Sequence, residues 1–378
     1  MAVLNDTSFT IFDDTVEGLG ALVVAAGTPV RTLGGADVLA GVGAGEDGFT
    51  IESEATLETG LGDDEVSGTA TGSFADGIFL EEGGTLETGL GDDEVSGTAT
   101  GSGADGISLD TDSTIETGLG DDEVSGTATG SGAIGIFLGE SSTIDTGFGD
   151  DTVSGIGGTI GIANLDNVTI DLGEGNDSIS GSGDSSGIAN LGNGTIDTGL
   201  GNDSISGSGS GDFANGIEND GTIDTGFGND SITGDSDDIG IENEGSIDTG
   251  LGNDSISGSG DFSGIANLDN GSIDTGGGDD TVTGEGPDDF TGFAGGGTID
   301  LGSGNDSIAG FGDQTIFGGA GFDTAEFGFD FAEAEVALGS GEVDLEITAN
   351  TTTMFFGGIE EFIFADATFS LGDLLALA

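Results

Sequence analysis

The chain has 378 residues, of which 73 are Asp or Glu and one is Arg, with no His, Cys, Tyr or Trp, for a formal charge of −72. That balance excludes nucleic acids and anionic membrane surfaces as partners, because no basic patch is present to meet phosphate. Missing side chains also remove Ser–His–Asp, Cys–His, Schiff-base and metal-hydrolase catalysis, and the lack of Cys removes disulfides and thiolate metal sites.

So much acid can signal disorder. Here, however, the acids recur in register and alternate with Ile, Val and Leu, and 34% of residues are hydrophobic. No apolar stretch is long enough to span a membrane. Residues 1–12 are strand-like and acidic and do not read as a basic-then-apolar leader. Residues 1–30 are expected to cap a larger structure with two or three strands.

From residue 31 to 323 one phrase returns, T-G-x-G-[N/D]-D-x-[V/I]-x-G. Residues 59–68 read TGLGDDEVSG, repeated at 88–97 and 117–126, while 198–207 and 249–258 both read TGLGNDSISG. Its last Asp recurs every 24 to 29 residues from Asp37 to Asp306, with a further copy at Asp323. A near-fixed period marks a structural unit that stacks. With 82 Gly and few helix formers the unit is not a helix pair. Three short apolar marks recur in each unit, flanked by small or polar residues as in a strand. The expected fold is therefore all-β: a right-handed parallel β-solenoid of about ten coils, with three short strands per coil and a cap at each end. Coils before residue 160 carry Leu80, Leu109 and Leu138 where later ones carry Asn164, Asn190, Asn219, Asn243 and Asn267. Those amides are expected to form a ladder.

Stacking raises an electrostatic problem. Asp145, Asp171, Asp197, Asp224, Asp248, Asp274 and Asp300 would lie one above another. Carboxylates about 4.8 Å apart repel by about 0.9 kcal/mol even in water. A narrow aliphatic core is not expected to hold against several such columns without counter-cations. Each turn offers hard oxygens, from glycine carbonyls and an Asp carboxylate, and no His or Cys. That donor set suits Ca²⁺ better than Zn²⁺, copper or Mg²⁺.

These turns resemble the calcium-binding nonapeptide repeats of the RTX family of secreted bacterial proteins, patterned G-G-x-G-x-D-x-U-x with U a large aliphatic residue. Residues 318–325 (GGAGFDTA) fit the first six positions but place Ala325 at U, and residues 34–39 (GGADVL) are a contracted copy. Most other copies carry Thr at the first position. The resemblance covers residues 31–378. It implies Ca²⁺ ions in a ladder between adjacent coils, held by Asp37, Asp64, Asp93, Asp122, Asp151, Asp177, Asp203, Asp230, Asp254, Asp280, Asp306 and Asp323. The loop carbonyls would come from Gly62, Gly91, Gly120, Gly149, Gly175, Gly201, Gly228, Gly252, Gly278 and Gly304. Family members carry two such phrases per short coil, whereas one falls in each longer coil here, so a single ladder on one edge is expected.

Residues 324–378 look like the closing segment of RTX proteins, a cap that ends in an uncleaved type I secretion signal. Alternating apolar residues there read as cap strands, and residues 371–377 as a short apolar tail. The resemblance therefore implies export through type I secretion machinery to an extracellular or cell-surface location, with folding on Ca²⁺ outside the cell.

Three function classes remain on these residues. The first is a non-enzymatic structural protein that self-assembles into a filament, surface layer or matrix. Family geometry would expose Leu61, Leu90, Leu119, Phe148, Leu200, Phe227 and Leu251 as a stripe suited to homo-oligomer contacts, although a wider coil would let them fold inward. The second is a monomeric adhesin or an ice- or surface-binding module, to which the Thr56, Thr85, Thr114 and Thr143 column points, against its acidic flanks. The third is a carboxylate glycoside hydrolase using acids that break the repeat, namely Asp235, Asp237, Asp238, Asp288 or Asp289.

Overall fold

The computed structural model describes residues 2–4, 14–16, 20–26 and 29–378. Strand formation follows from the period of two. In Thr85–Leu90 (TLETGL) Leu86 is fully buried while the flanking Thr85 and Glu87 are half-buried on the opposite face. Glu94–Thr100 (EVSGTAT) buries Val95 and Ala99 in the same way, and Ile107–Leu109 (ISL) supplies the third side. Such a triplet cannot close a core alone. Parallel pairing with the next triplet satisfies its backbone and stacks like on like.

The protein is accordingly an all-β parallel β-solenoid with three sheets. The chain divides into two compact units, Met1–Leu200 and Gly201–Ala378.

In the first unit the register aligns each repeat with its neighbour residue for residue. Leu57, Leu86 and Ile115 stack, followed by Ile144, Ile170 and Ile196. All six are fully buried; each contributes about 1.5–3 kcal/mol relative to exposure. The coil is thin where the second and third strands face each other. A Cβ on Gly97 would collide with the Gly106 carbonyl, so only glycine permits that approach. Of the segment expected as an N-terminal cap, Ala2–Leu4 and Leu22–Val24 pair in parallel with each other, and Leu22–Val24 pairs onward with Phe49–Ile51. Thr15–Val16 pairs with Val38–Leu39. The rest of that cap, at residues 1, 5–13, 17–19 and 27–28, lies outside the described residues.

In the second unit Ile223, Ile247, Ile273, Ile299 and Ile316 form the equivalent column. The parallel pattern ends with antiparallel pairing of Glu335–Leu338, Leu345–Ala349 and Thr352–Gly357, and of Glu361–Ile363 with Thr368–Ser370. Phe311, Phe327, Phe329, Phe356 and Phe364 fill this end as a ring cluster with neighbouring centroids 5.0–5.9 Å apart. The apolar tail begins as the short helix Leu371–Leu375, started by a Ser370–Asp373 capping box. No helix among the described residues is long and apolar enough to cross a membrane.

The amide ladder is present in both units. Asn164 Nδ2 donates to Asn190 Oδ1 at 2.6 Å, Asn219 to Asn243 at 2.7 Å, and Asn243 to Asn267 at 2.8 Å. Asn164 occupies the position of Leu138 in the preceding coil.

Candidate metal-binding edge

The repeated phrase forms the corner between the first and second strands. Its first two glycines adopt the left-handed region in most copies, as at Gly89 (φ 107°) and Gly91 (φ 140°). They turn the chain sharply enough to leave the third residue outside and swing the final Asp under the corner. A Cβ on Gly91 would overlap the Gly62 carbonyl. The same holds for Gly120, Gly149 and Gly175 against the preceding glycine, and in the second unit for Gly228, Gly252, Gly278 and Gly304. Glycine carbonyls therefore aim along the stack, each at the next turn.

Every Asp expected as a ligand is buried, from Asp37 at 0% to Asp203 at 2% exposure. One carboxylate oxygen has a defined task. Asp64 N–H donates to Asp93 Oδ1, Asp93 N–H to Asp122 Oδ1, Asp122 N–H to Asp151 Oδ1 and Asp151 N–H to Asp177 Oδ1, all at 2.7–2.8 Å. In the second unit the chain of donors runs from Asp203 through Asp230, Asp254 and Asp280 to Asp306 at 2.8 Å, then to Asp323 at 3.0 Å. Each side chain thus caps the corner of the neighbouring coil.

The other oxygen is the informative one. Oδ2 of Asp64, Asp93, Asp122, Asp151, Asp230, Asp254, Asp280 and Asp306 is buried without a hydrogen-bond partner. The Thr59 hydroxyl lies beside Asp64, but its single proton is engaged on the Thr88 carbonyl at 3.0 Å. A buried, unpaired carboxylate oxygen is costly. Burial accordingly raises these acids. Asp93 and Asp306 are pushed up to about 7, and Asp151 and Asp254 to about 6, with backbone hydrogen bonds opposing the rise. The corner therefore calls for a positive charge, either a proton or a metal cation.

The donors fit Ca²⁺ in kind, being carboxylate and carbonyl oxygens only. A glycine closes the cradle, since a Cβ on Gly228 would sit 3.1 Å from Asp230 Oδ1 and one on Gly304 3.0 Å from Asp306 Oδ1. Among the described residues no three Asp, Glu, His or Cys side chains converge as a metal-holding group. A cation at this edge would draw few carboxylates and complete its shell with backbone oxygens and water.

Three further acid columns run along the stack. The residue before the ligand Asp forms an outer ladder of opposite sense. Asp92 N–H donates to Asp63 Oδ1 at 3.1 Å, Asp121 to Asp92 at 3.0 Å and Asp150 to Asp121 at 2.9 Å. On the adjoining strand Glu58, Glu87, Glu116, Asp145, Asp171 and Asp197 align, as do Asp224, Asp248, Asp274 and Asp300 in the second unit. The chain's one arginine, Arg31, pairs with Glu58 at 2.6 Å at the end of that column. A third column, Asp47, Asp76 and Asp105, lies at the opposite corner. Asp76 N–H donates to Asp47 Oδ1 at 2.8 Å, Asp105 N–H to Asp76 at 2.7 Å and Ile134 N–H to Asp105 at 2.9 Å. Burial pushes Asp76 up to about 7 and Asp105 to about 6. The recurring D-G-[F/I] at residues 47, 76 and 105 was the sequence signal for this column.

The third residue of each corner points outward. Leu61, Leu90, Leu119, Phe148 and Leu200 are 43–52% exposed and follow one another in register, interrupted by Glu174. Phe227 and Leu251 are paired and exposed in the second unit. The Thr56, Thr85, Thr114 and Thr143 column is aligned but half-buried. Of the acids outside the repeat, Asp288 spends its Oδ1 on Phe290 N–H at 2.9 Å and the Thr291 hydroxyl at 3.1 Å, stabilising its own loop.

No family model matches the chain, and no curated protein matches it. The likeness to calcium-binding repeats rests on the repeated phrase alone.

Proposed function

We propose that this is a secreted, calcium-stabilised structural protein of the RTX type that folds outside the cell and associates with copies of itself. The observation that supports it best is the in-register column of buried Asp side chains, each with one oxygen spent on a backbone N–H and another unpaired in most coils. Asp64, Asp93, Asp122, Asp151 and their counterparts would hold Ca²⁺, with glycine carbonyls of the same corners as further donors. Bound Ca²⁺ supplies the positive charge that the corner lacks. Each site held at 100 times its Kd adds about 2.7 kcal/mol, so two such sites match the stability of a marginal domain. With a charge of −72, the chain in a calcium-poor compartment would stay open and export-competent, and would fold where calcium is millimolar.

Self-association is supported by the exposed row Leu61, Leu90, Leu119 and Phe148, a line of large apolar side chains on an otherwise acidic edge. Copies at −72 repel one another until cations neutralise them, so assembly would share the calcium requirement. Circular dichroism with and without EGTA tests the central claim. A strand-rich spectrum at millimolar Ca²⁺ and a largely disordered one in chelator are expected. An identical spectrum and melting temperature in both would refute it.

A further inference from the structure

In a repeat protein the coil that departs from the repeat is the place to look for a separate task. In the second unit residues 286–292 (GPDDFTG) join Thr281–Glu285 to Phe293–Ala294, where the preceding coil needs only residues 261–262 between Ser255–Gly260 and Ser263–Asn267. The inserted loop is held in one shape by Pro287 and by the Asp288 side chain, which accepts from Phe290 N–H and Thr291 Oγ1. Phe290 is fixed from behind, stacked on Phe329 with centroids 5.0 Å apart and edge-on to Phe311 at 6.4 Å.

Between this loop and the preceding coil lies a cleft of about 320 Å³. Phe262, Phe290, Phe293 and Pro287 supply apolar walls, and the two carboxylates in its lining are Asp261 and Asp313. Phe293 is buried at 2% exposure, whereas Phe262 is 59% exposed, an apolar wall without a matching cover. The volume sits at the small end of the ligand-site range of about 300–1,000 Å³.

We infer that this cleft binds a small organic monocation, an ammonium group carried on a compact apolar body. The walls require an apolar body, and aromatic faces favour a cation over them. The lining holds acids and no base, and a chain at −72 repels anions. The chain's one base, Arg31, belongs to the other compact unit. Asp261 and Asp313 in the lining favour a cation there, while a hydrated metal ion would leave the aromatic walls without a partner.

Phenethylammonium is a suitable probe, with 2-phenylethanol as its neutral counterpart, both in excess Ca²⁺ so that other acidic sites are occupied. Calorimetry and ligand-observed saturation-transfer NMR on the full chain should show the amine binding about tenfold more tightly than the alcohol, with the preference shrinking in high salt. Phe262→Ala should weaken the amine about tenfold while leaving the far-ultraviolet spectrum unchanged, and Phe74→Ala, at a still more exposed ring in the first unit, should bind as wild type. Asp313→Asn should reduce amine binding and leave the alcohol unaffected. No binding at millimolar probe would overturn the inference. So would equal affinity for amine and alcohol, or a Phe262→Ala chain that binds as wild type.

Discussion

Replacing Asp93 by Asn keeps the shape of the corner and removes only its charge, so the sign of its effect should depend on calcium. The amide oxygen can still accept the Asp64 N–H that Asp93 Oδ1 holds at 2.8 Å. Its NH₂ then meets the Thr88 hydroxyl oxygen, whose own proton is engaged on the Thr117 carbonyl at 3.2 Å. In chelator the wild-type carboxyl is moved by burial from 3.8 to about 7. The folded state therefore binds a proton that the unfolded chain has released, and stability falls as pH rises between those two values. Above pH 7 the full penalty applies, at most about 4 kcal/mol, and on the order of 2 kcal/mol after solvent screening near the surface. Asp93→Asn escapes that penalty and should stabilise the metal-free fold. With Ca²⁺ present the same change deletes a charged ligand, and losing one site held at 100 times its Kd costs about 2.7 kcal/mol. The assay is osmolyte-induced folding in EGTA at pH 8, followed by thermal unfolding in millimolar Ca²⁺. Asp93→Asn should fold at lower osmolyte than wild type in EGTA and melt at lower temperature in Ca²⁺. Stabilisation under both conditions would mean that the Asp column only caps the backbone, and the calcium ladder would be wrong.

The pH response without metal should run opposite to ordinary acid denaturation. Asp76, Asp93 and Asp306 at about 7 and Asp105, Asp151 and Asp254 at about 6 all favour the folded state once protonated, so the osmolyte needed to fold the chain in EGTA should fall from pH 8 to pH 5; a steady rise would contradict the burial argument. Asn243→Asp should cost about 3 kcal/mol or more in chemical unfolding, because Asn243 Nδ2 donates to Asn267 Oδ1 at 2.8 Å and to the Ser272 carbonyl at 3.2 Å, and a carboxylate there would face acceptors; a loss under about 1 kcal/mol would show the ladder to be dispensable. Light scattering at millimolar Ca²⁺ should find wild type assembling and the Leu90→Ser/Leu119→Ser/Phe148→Ser chain remaining monomeric; a monomeric wild type removes the assembly proposal, and an assembling triple variant removes the stripe from it. Deletion of residues 359–378 should abolish export through a type I system, and normal export of the shortened chain would refute the secretion assignment.

How much of this was legible in the sequence depends on which interactions repeat. The coil, its three strands, the Ile columns and the amide ladder follow from a period of 24 to 29 residues and an alternation of two, because stacking in register places like on like. The outward row of Leu61, Leu90 and Leu119 was also readable as a column, but its exposure was not, since it depends on how two left-handed glycines turn the corner. Harder to see was the division of labour within one carboxylate. The phrase shows that an Asp recurs, yet nothing in it says that Oδ1 closes the neighbouring backbone while Oδ2 is left buried, and that split is what makes the corner demand a positive charge. The cleft at Phe262 and Phe290 lay beyond the repeat logic altogether. Periodicity averages over coils, and residues 286–292 matter because they occur once. The same physics accounts for both halves of the molecule's chemistry. Identical corners can share one cation requirement along a column, whereas an apolar wall aimed at a single small ligand needs a loop free of the register that the other coils must keep.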